Sequence, residues 1–254
     1  MKIILKNKKE IAIMREGGKV LAEIFEILEK KVRAGIQTKE LEKIALKLIS
    51  QKNAKPSFLG YQGFPSCLCT SINEEIVHCL PSQRVLKEGD LLKLDLGIVW
   101  KGFHLDKAVT LPVGKVSFLA QKLIKATKKC LKEAIKKIKV GVSLGDIGWT
   151  IENCAKKEKF NVIRSLGGHG IGRSLHEPPF FPNFGRRGEG LKLKEGMVFC
   201  LEPMLSSGDF RLEKTEDGFG YRTIDRSLTA HFEETIALIK NKATVLTEKE
   251  LKIK

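Results

Sequence analysis

The sequence predicts a single α+β domain built from two similar halves, about residues 1–114 and 115–254. Each half begins with amphipathic helical periodicity and continues into apolar, strand-like segments separated by turns. No low-complexity tract or long block of charge separates the halves, and 254 residues suffice for one domain with a substantial core. We therefore expect antiparallel strands inside and helices outside.

Helical patterns dominate the start of the first half. Apolar residues recur at helical spacing over residues 9–32, and residues 37–52 form a second amphipathic pattern with Thr38 as the expected N-cap. The following stretch, FLGYQGFPSCLC, is rich in glycine and aromatic residues and predicts an irregular segment. Residues 70–113 then predict strands joined by turns.

The second half repeats this order. Residues 117–138 predict a long amphipathic helix, and Ser143 is expected to cap another helix over roughly 144–159. A glycine-rich link is expected after this helix. Strands are predicted at 161–166, 197–203, 220–225 and 228–239.

The composition excludes some functional classes. The formal net charge of +16 favours contact with a polyanion, but the lysines are scattered and no RNA-binding motif accompanies them, so we do not expect sequence-specific nucleic-acid binding. No apolar run is long enough to cross a bilayer, and the first ten residues lack a signal-peptide core, so we expect a cytoplasmic protein. The six cysteines form no CxxC pair and are expected to be free thiols.

Four acids lie in or beside apolar, strand-like segments, where an uncompensated charge is costly to bury. Trp100-Lys101-Gly102 predicts a hairpin turn that would place Asp95 and Asp106 on neighbouring strands. Glu202 lies in MVFCLEPM and Glu233 in AHFEET. Two divalent ions would balance the four carboxylates in formal charge.

Two kinds of chemistry are compatible with the acids. Asp95 and Asp106 could share a proton, as in an acid dyad, but that leaves Glu202 and Glu233 unexplained. A two-metal site uses all four acids, needs an imidazole for selectivity, and lowers the pKa of water to near neutrality. We expect the second alternative.

Histidines provide the missing nitrogen donors. The segment GGHGIGRSLHEPP carries His169 and His176 among glycines, which allow a ligand to approach the backbone closely. His78 is a third candidate, although its surroundings in NEEIVHCLP are uninformative. His104 and His231 are expected to be neighbours of the acids rather than ligands.

At the level of whole motifs, the chain resembles the type I methionine aminopeptidases, a branch of the pita-bread metallopeptidases. The resemblance rests on GYQGFPSCLCTSINEEIVHCLP, the hairpin, GGHGIGRSLHEPP, MVFCLEPM and DRSLTAHFEET, in the family's order and spacing over nearly the whole chain. It implies the pita-bread fold. It also implies metal-dependent hydrolytic removal of the N-terminal methionine from nascent proteins and peptides whose second residue is small and uncharged.

The resemblance also implies roles for individual residues. Five of them would hold two divalent ions, which could be Mn, Fe, Co or Zn: Asp95, Asp106, His169, Glu202 and Glu233. Glu202 would also move the proton, His176 would stabilise the developing charge on the scissile carbonyl oxygen, and His78 would contact the scissile amide. The pocket for the methionine side chain would be lined by Tyr61, Phe64, Cys69 and Phe219.

Some positions depart from the family's usual pattern. Cys79 follows His78 where glycine is usual, while His231 and Glu234 stand near Glu233 where glutamine and histidine are common. These departures bear on pocket shape and metal preference rather than on reaction type, since all five expected ligands are present.

Three functions remain open from the sequence: a methionine aminopeptidase, a related pita-bread peptidase that cleaves before proline, and a non-enzymatic ribosome- or RNA-binding module on the same fold. The motifs favour the first. New chains emerge at the ribosome, so the basic surface is expected to assist docking near the exit tunnel. We expect a monomer because no exposed apolar stripe is evident.

Overall fold

The computed structural model describes residues 3–248, in which a nine-stranded sheet carries the core and helices pack outside it. The helices of this part of the chain are α1 (Lys8–Glu29), α2 (Thr38–Gln51), α3 (Phe118–Lys137) and α4 (Leu144–Lys157). The capping side chains of Asn7, Ser117 and Ser143 accept hydrogen bonds from the first-turn N–H groups of α1, α3 and α4. The predicted α+β class and helix order are therefore confirmed.

Fifteen strands occur within residues 3–248. They are β1 (Lys55–Pro56), β2 (Cys69–Ile72), β3 (Glu75–Val77), β4 (Leu91–Trp100), β5 (Phe103–Pro112), β6 (Asn161–Val162), β7 (Gly167–Gly170), β8 (Glu177–Pro182), β9 (Val198–Leu201), β10 (Met204–Ser206), β11 (Leu212–Lys214), β12 (Tyr221–Thr223), β13 (Thr229–His231), β14 (Glu233–Ile239) and β15 (Lys242–Val245).

One antiparallel sheet organises the molecule. Its strand order is β1-β4-β5-β14-β9-β7-β8, with β15 also paired to β14 and β2 to β4. Two three-stranded sheets, β13-β10-β6 and β11-β12-β3, complete the described architecture. Helix α1 packs on β4 and β5, and α3 packs on β5, β10 and β13, so the central strands are covered by apolar helix faces.

Helix boundaries differ from the prediction in two places. The first helix ends at Glu29 rather than near residue 32. Thr38 is the first helical residue of α2, and the extended Gln37 precedes it as the N-cap. The Thr38 hydroxyl instead donates to the carbonyl oxygen of Ser82 at 3.1 Å, because Thr38 is buried against that loop. The predicted N-cap at Thr38 is therefore wrong.

The second half contains more strands than the sequence indicated. The predicted strand 161–166 is limited to β6, and the predicted strand 228–239 divides at Phe232, where the chain passes from one sheet to another. The expected glycine-rich link contains strand β7. A Cβ on Gly168 would lie 2.2 Å from the carbonyl oxygen of Cys200, so the glycine allows β7 to approach β9.

Lys93 ties separate strands together beneath the sheet. Its side chain is buried, and its ammonium donates to the carbonyl oxygens of Asn73 at 2.8 Å and of Leu91 and Thr229 at 3.4 Å. These acceptors lie in the β2–β3 turn, β4 and β13. A single buried side chain therefore connects three elements near the buried acids of β4 and β5.

Two further expectations concern the whole chain. All six cysteines are buried free thiols, as expected. No helix within residues 3–248 is both long and apolar enough to span a membrane. The division into halves near residue 114 stays a prediction. Residues 1–2 and 249–254 of these halves lie outside the described part of the chain.

Candidate metal centre and substrate cavity

Strands β4 and β5 form the hairpin that presents the two aspartates. In the antiparallel register Asp95 lies opposite Ala108, and Asp106 lies opposite Gly97. The two acids are therefore diagonal neighbours on one face of the sheet. Gly97 shares this face, and a Cβ there would lie 2.7 Å from a ring atom of Phe58, so this position leaves no room for a side chain.

The two glutamates come from the next strands of the sheet. Glu233 of β14 also lies opposite Ala108, whose methyl group leaves the space above it open. Leu201 pairs with Glu234, so Glu202, which follows β9 directly, lies beside Glu233. Thr235 fixes this register because its hydroxyl accepts from the N–H of Asp106 at 2.9 Å and donates to the Asp106 carbonyl oxygen at 2.8 Å.

His169 completes the cluster from β7. Its Nδ1 lies 2.9 Å from the carbonyl oxygen of Gly170, which can only accept, so Nδ1 carries the hydrogen. The lone pair of Nε2 is then free on the side of the acids, and Nε2 lies 3.7 Å from Oε1 of Glu202. A histidine held in this tautomer by the backbone is a typical metal ligand.

Five neighbouring strands thus contribute one side chain each. Four of these residues lie within their strands, and Glu202 follows the last residue of β9. Along the sheet the order is β4, β5, β14, β9 and β7, and the corresponding side chains are Asp95, Asp106, Glu233, Glu202 and His169. Asp95 and Glu233 are 138 positions apart in the sequence, but only strand β5 separates their strands in the sheet.

Burial strongly perturbs the protonation of these acids. Burial, reinforced by the charges of Asp106 and Glu202, raises the pKa of Asp95 well above its usual range. Burial raises the pKa of Asp106 to about 7. The pKa values of Glu202 and Glu233 are also raised well above the usual range, first by burial and then by the neighbouring acids. In the absence of a cation, the cluster holds protons near neutral pH.

The cluster has the properties expected of a divalent-metal site. Asp95 Oδ1 and Glu233 Oε1 are buried and have no hydrogen-bond partner among residues 3–248. Ligand atoms of Asp106, His169 and Glu233 lie within 4.8 Å of one another, together with the Cys200 thiol. Carboxylate oxygens with one imidazole suit hard or borderline divalent ions. A cation would satisfy both the orphaned oxygens and the accumulated charge.

Cys200 was not singled out from the sequence, and His231 was expected only as a neighbour of the acids. Cys200 precedes Glu202 by two positions on a strand, so strict alternation would have placed it on the same face. Burial raises the pKa of its thiol well above the usual range. His231 lies 3.4 Å from Glu202 through Nε2 and Oε2. Alternation could not have placed His231, because the chain changes sheets between His231 and Glu233.

A cavity of about 710 Å³ opens above the acids. Its lining includes every residue that the sequence analysis assigned to substrate: Tyr61, Phe64, Cys69, His78, His176 and Phe219. The five expected metal ligands, which are the four acids and His169, also border this cavity. This volume is in the usual range for small-ligand sites.

Aromatic rings shape two walls of the cavity. Phe64 and Phe219 meet edge to face with centroids 5.5 Å apart, which gives an apolar wall. On the other side, the Tyr61 hydroxyl lies 2.8 Å from Nδ1 of His176, and the rings of His176 and His169 are 4.3 Å apart. His176 therefore lies between Tyr61 and the metal-ligand candidate His169.

His78 is held at the cavity rim by an unusual backbone conformation. It follows β3 with φ = 63°, a left-handed conformation that non-glycine residues adopt rarely. Its imidazole lies 6.1 Å from the Tyr221 ring. Both His78 and His176 reach water through the cavity, but enclosure by its walls lowers the pKa of both, that of His78 to about 4. They are neutral near pH 7.

Comparison with known proteins gives a consistent result. The family model for metallopeptidase family M24 matches residues 12–240. A methionine aminopeptidase of Clostridium perfringens is 44% identical over 96% of this chain and 98% of its own length. Methionine aminopeptidase 1 of Bacillus subtilis is 41% identical over 96% and 99% of the two chains.

Solved structures agree with the sequence relatives. The methionine aminopeptidase of Thermotoga maritima superposes with a TM-score of 0.96 at 40% identity, covering 98% of this chain and all of that one. Prolidase from Pyrococcus furiosus has a TM-score of 0.78 at 21% identity and covers 98% of this chain and 66% of its own, which is a likeness of fold. The predicted pita-bread fold is confirmed. On the family model and these near-full-length relatives, the chain belongs to metallopeptidase family M24.

Proposed function

We propose that this protein is a methionine aminopeptidase that hydrolyses the bond after the N-terminal methionine of peptides and nascent proteins. The observation that carries the proposal is the convergence of four buried acids and His169, from five adjacent strands, on the floor of one cavity. Four acids require cationic compensation, and a cavity above them gives a substrate access to it. The full-length relatives named methionine aminopeptidase support the same activity.

The residues that would hold two divalent ions are Asp95, Asp106, His169, Glu202 and Glu233. Each of these five side chains would contribute donor atoms to the pair of ions. When bound, such ions supply Lewis acidity and lower the pKa of water. The donor set is compatible with Mn, Fe, Co or Zn.

His176 is positioned to stabilise charge on the substrate. If the Tyr61 hydroxyl donates to Nδ1, then Nε2 carries the hydrogen and can donate to the scissile carbonyl oxygen. The neutral state of His176 near pH 7 is suited to this role, because a donor is needed but a permanent charge is not. His78, at the opposite rim, would contact the scissile amide.

Glu202 is the group best placed to move a proton. Burial and the Asp106 charge raise the pKa of its carboxyl group, so Glu202 can hold a proton at a pH where an exposed glutamate cannot. It would accept a proton from water through a carboxylate oxygen and deliver it to the leaving amine. The dry floor of the cavity favours such a transfer over loss to solvent.

The remaining walls would select the substrate. Phe64 and Phe219 form an apolar surface, and Tyr61 and Cys69 complete a site of suitable chemistry for an unbranched thioether side chain. The second residue of the substrate would lie at the cavity wall beyond the scissile bond. Only a small, uncharged side chain would fit there without moving the carbonyl away from His176.

The first test compares substrates and metal content. We expect release of methionine from Met-Ala-Ser but not, at a comparable rate, from Met-Lys-Ser, because the lysine side chain would clash with the cavity wall. Complete removal of metal with a chelator should abolish release, and added Mn²⁺ should restore it. Activity that survives metal removal would contradict the metal-dependent mechanism. Cleavage before proline would instead favour a prolidase-type peptidase. Binding of RNA without any hydrolysis would favour a non-enzymatic module.

A second test concerns the oxyanion donor. We expect His176→Ala to lower kcat by about 100-fold or more, the scale of losing one such donor, while metal content stays unchanged. Tyr61→Phe keeps the ring but removes the hydroxyl that fixes the tautomer of His176, and should cause a smaller loss. Turnover equal to that of the wild type in His176→Ala would remove His176 from the mechanism.

A third test uses the pH dependence of folding without metal. The folded-state pKa of Asp106, about 7, lies above its unfolded value near 4, so its contribution to stability is complete below pH 4 and is lost as pH rises through 7. In Asp106→Asn this titration is absent. We therefore expect the free energy of unfolding of the metal-free wild type, measured with urea, to fall by about 2–4 kcal/mol relative to that of Asp106→Asn between pH 4 and pH 8. A difference in the free energy of unfolding that stays constant over this pH range would contradict the raised pKa of Asp106.

We also propose that the protein works as a cytoplasmic monomer that docks transiently at the ribosome, near the exit tunnel. New chains carry their N-terminal methionine there, and a formal charge of +16 favours association with ribosomal RNA. Clusters of exposed lysines on α3 support electrostatic rather than sequence-specific contact.

Sedimentation with purified ribosomes tests the docking proposal. We expect affinity to fall steeply as KCl rises from 50 to 200 mM, by about 10-fold or more, because each neutralised phosphate releases counterions. Hydrolysis of a short peptide should change much less over the same range. Ribosome affinity that does not depend on salt would contradict this mode of docking.

A further inference from the structure

His231 is a buried imidazole that the proposed mechanism leaves without a role. It ends β13, is 1% exposed, and has no hydrogen-bond partner at either ring nitrogen among residues 3–248. Leaving such a group unsatisfied is costly, so a partner is expected in the working protein.

The backbone of His231 is held firmly. The Thr110 hydroxyl accepts from the N–H of His231 at 2.8 Å and donates to its carbonyl oxygen at 2.7 Å. On the other side, β13 pairs with β10 through Met204. The ring is therefore directed by two strands, and its position is not that of a mobile surface side chain.

The ring faces Glu202 from the side opposite His169. His231 Nε2 lies 3.4 Å from Oε2 of Glu202, whereas His169 Nε2 lies 3.7 Å from Oε1. The second carboxylate near His231, that of Glu233, is farther away at 3.9 Å. Each oxygen of Glu202 thus has its own imidazole neighbour.

The chemistry of the two imidazoles differs. The backbone fixes the hydrogen of His169 on Nδ1, so its Nε2 is a lone-pair donor. Among the described residues, no partner holds a hydrogen on Nδ1 of His231, so the ring is free to carry its hydrogen on Nε2. The distance of 3.4 Å is a few tenths of an ångström longer than a good N–H···O bond, and a small side-chain rotation closes it.

We propose that His231 is a positioning residue whose Nε2–H donates to Oε2 of Glu202, leaving Oε1 as the oxygen that binds a cation beside His169. The inference rests on the proposed function, because that function assigns Glu202 and His169 to the metal centre. With Oε2 held by His231, Glu202 would bind the cation through Oε1 and keep the orientation needed for proton transfer. Hydrogen bonds of this kind to metal ligands commonly tune affinity and activity.

The surroundings of the ring support the donor assignment. A neutral imidazole has one N–H and one lone pair, and the ionised carboxylate of Glu202, the nearest acid, can only accept. A neutral donor suits a carboxylate whose charge is also shared with a cation. The alternative, in which the His231 lone pair binds an ion directly, would make it a second imidazole ligand and is an outcome that the test separates.

The test compares His231→Gln, which keeps an N–H donor, with His231→Leu, which does not. We expect His231→Leu to weaken the binding of Mn²⁺, measured by titration calorimetry, by about 10- to 100-fold. His231→Gln should stay within about threefold of the wild type. In the metal-free state His231→Leu should be as stable as the wild type or more so, because an unsatisfied polar group is replaced by an apolar one.

A matched control and a spectroscopic measurement complete the design. His104 bonds to the Ser57 hydroxyl at 2.5 Å, outside the acid cluster, so His104→Leu should leave Mn²⁺ affinity within about threefold of the wild type. Pulsed electron paramagnetic resonance of the Mn²⁺-loaded wild type should detect one coordinated imidazole, that of His169, and the same one in His231→Leu.

Specific results would overturn the proposal. Equal Mn²⁺ affinity in the wild type and His231→Leu, equal weakening in His231→Gln and His231→Leu, or two coordinated imidazoles in the wild type would each do so. The proposed function fails separately: a wild type that binds Mn²⁺ with the expected differences among variants but releases no methionine would overturn the activity and leave the role of His231 intact.

Discussion

The structure depends on the burial of four carboxylates at one face of one sheet. Burial raises their pKa values, and the charge of Asp106 raises those of Asp95, Glu202 and Glu233 further. A cluster of this kind is unfavourable unless protons or cations neutralise it. The same electrostatic constraint therefore explains the orphaned oxygens of Asp95 and Glu233, the single imidazole of His169 and the accessible cavity above them.

Small residues make this arrangement sterically possible. Ala108 lies between Asp95 on one neighbouring strand and Glu233 on the other, and its methyl group leaves space for their carboxylates to converge. Gly168 lets β7 come close to β9, which brings His169 to the acids. The ligand set is thus a property of strand register, and the residues between the ligands are as constrained as the ligands.

Sequence patterns predicted the parts of the fold that follow from local periodicity. The four helices and the hairpin carrying Asp95 and Asp106 were predicted because amphipathic spacing and turn residues are local signals. The division at Phe232 and the strand Gly167–Gly170 were not, since sheet membership there is decided by tertiary contacts. The residues of the site were identified through whole motifs, but the contact of His231 with Glu202 depends on a change of sheet that no local pattern encodes.

The number and place of the ions test the central constraint most directly. Crystals of protein prepared with Mn²⁺ should show two anomalous scattering peaks, about 3.5–4 Å apart. Together, the two peaks should lie within bonding distance of Asp95, Asp106, His169, Glu202 and Glu233. A single peak, or peaks that leave two or more of these side chains without a cation, would contradict a two-ion centre at this face of the sheet.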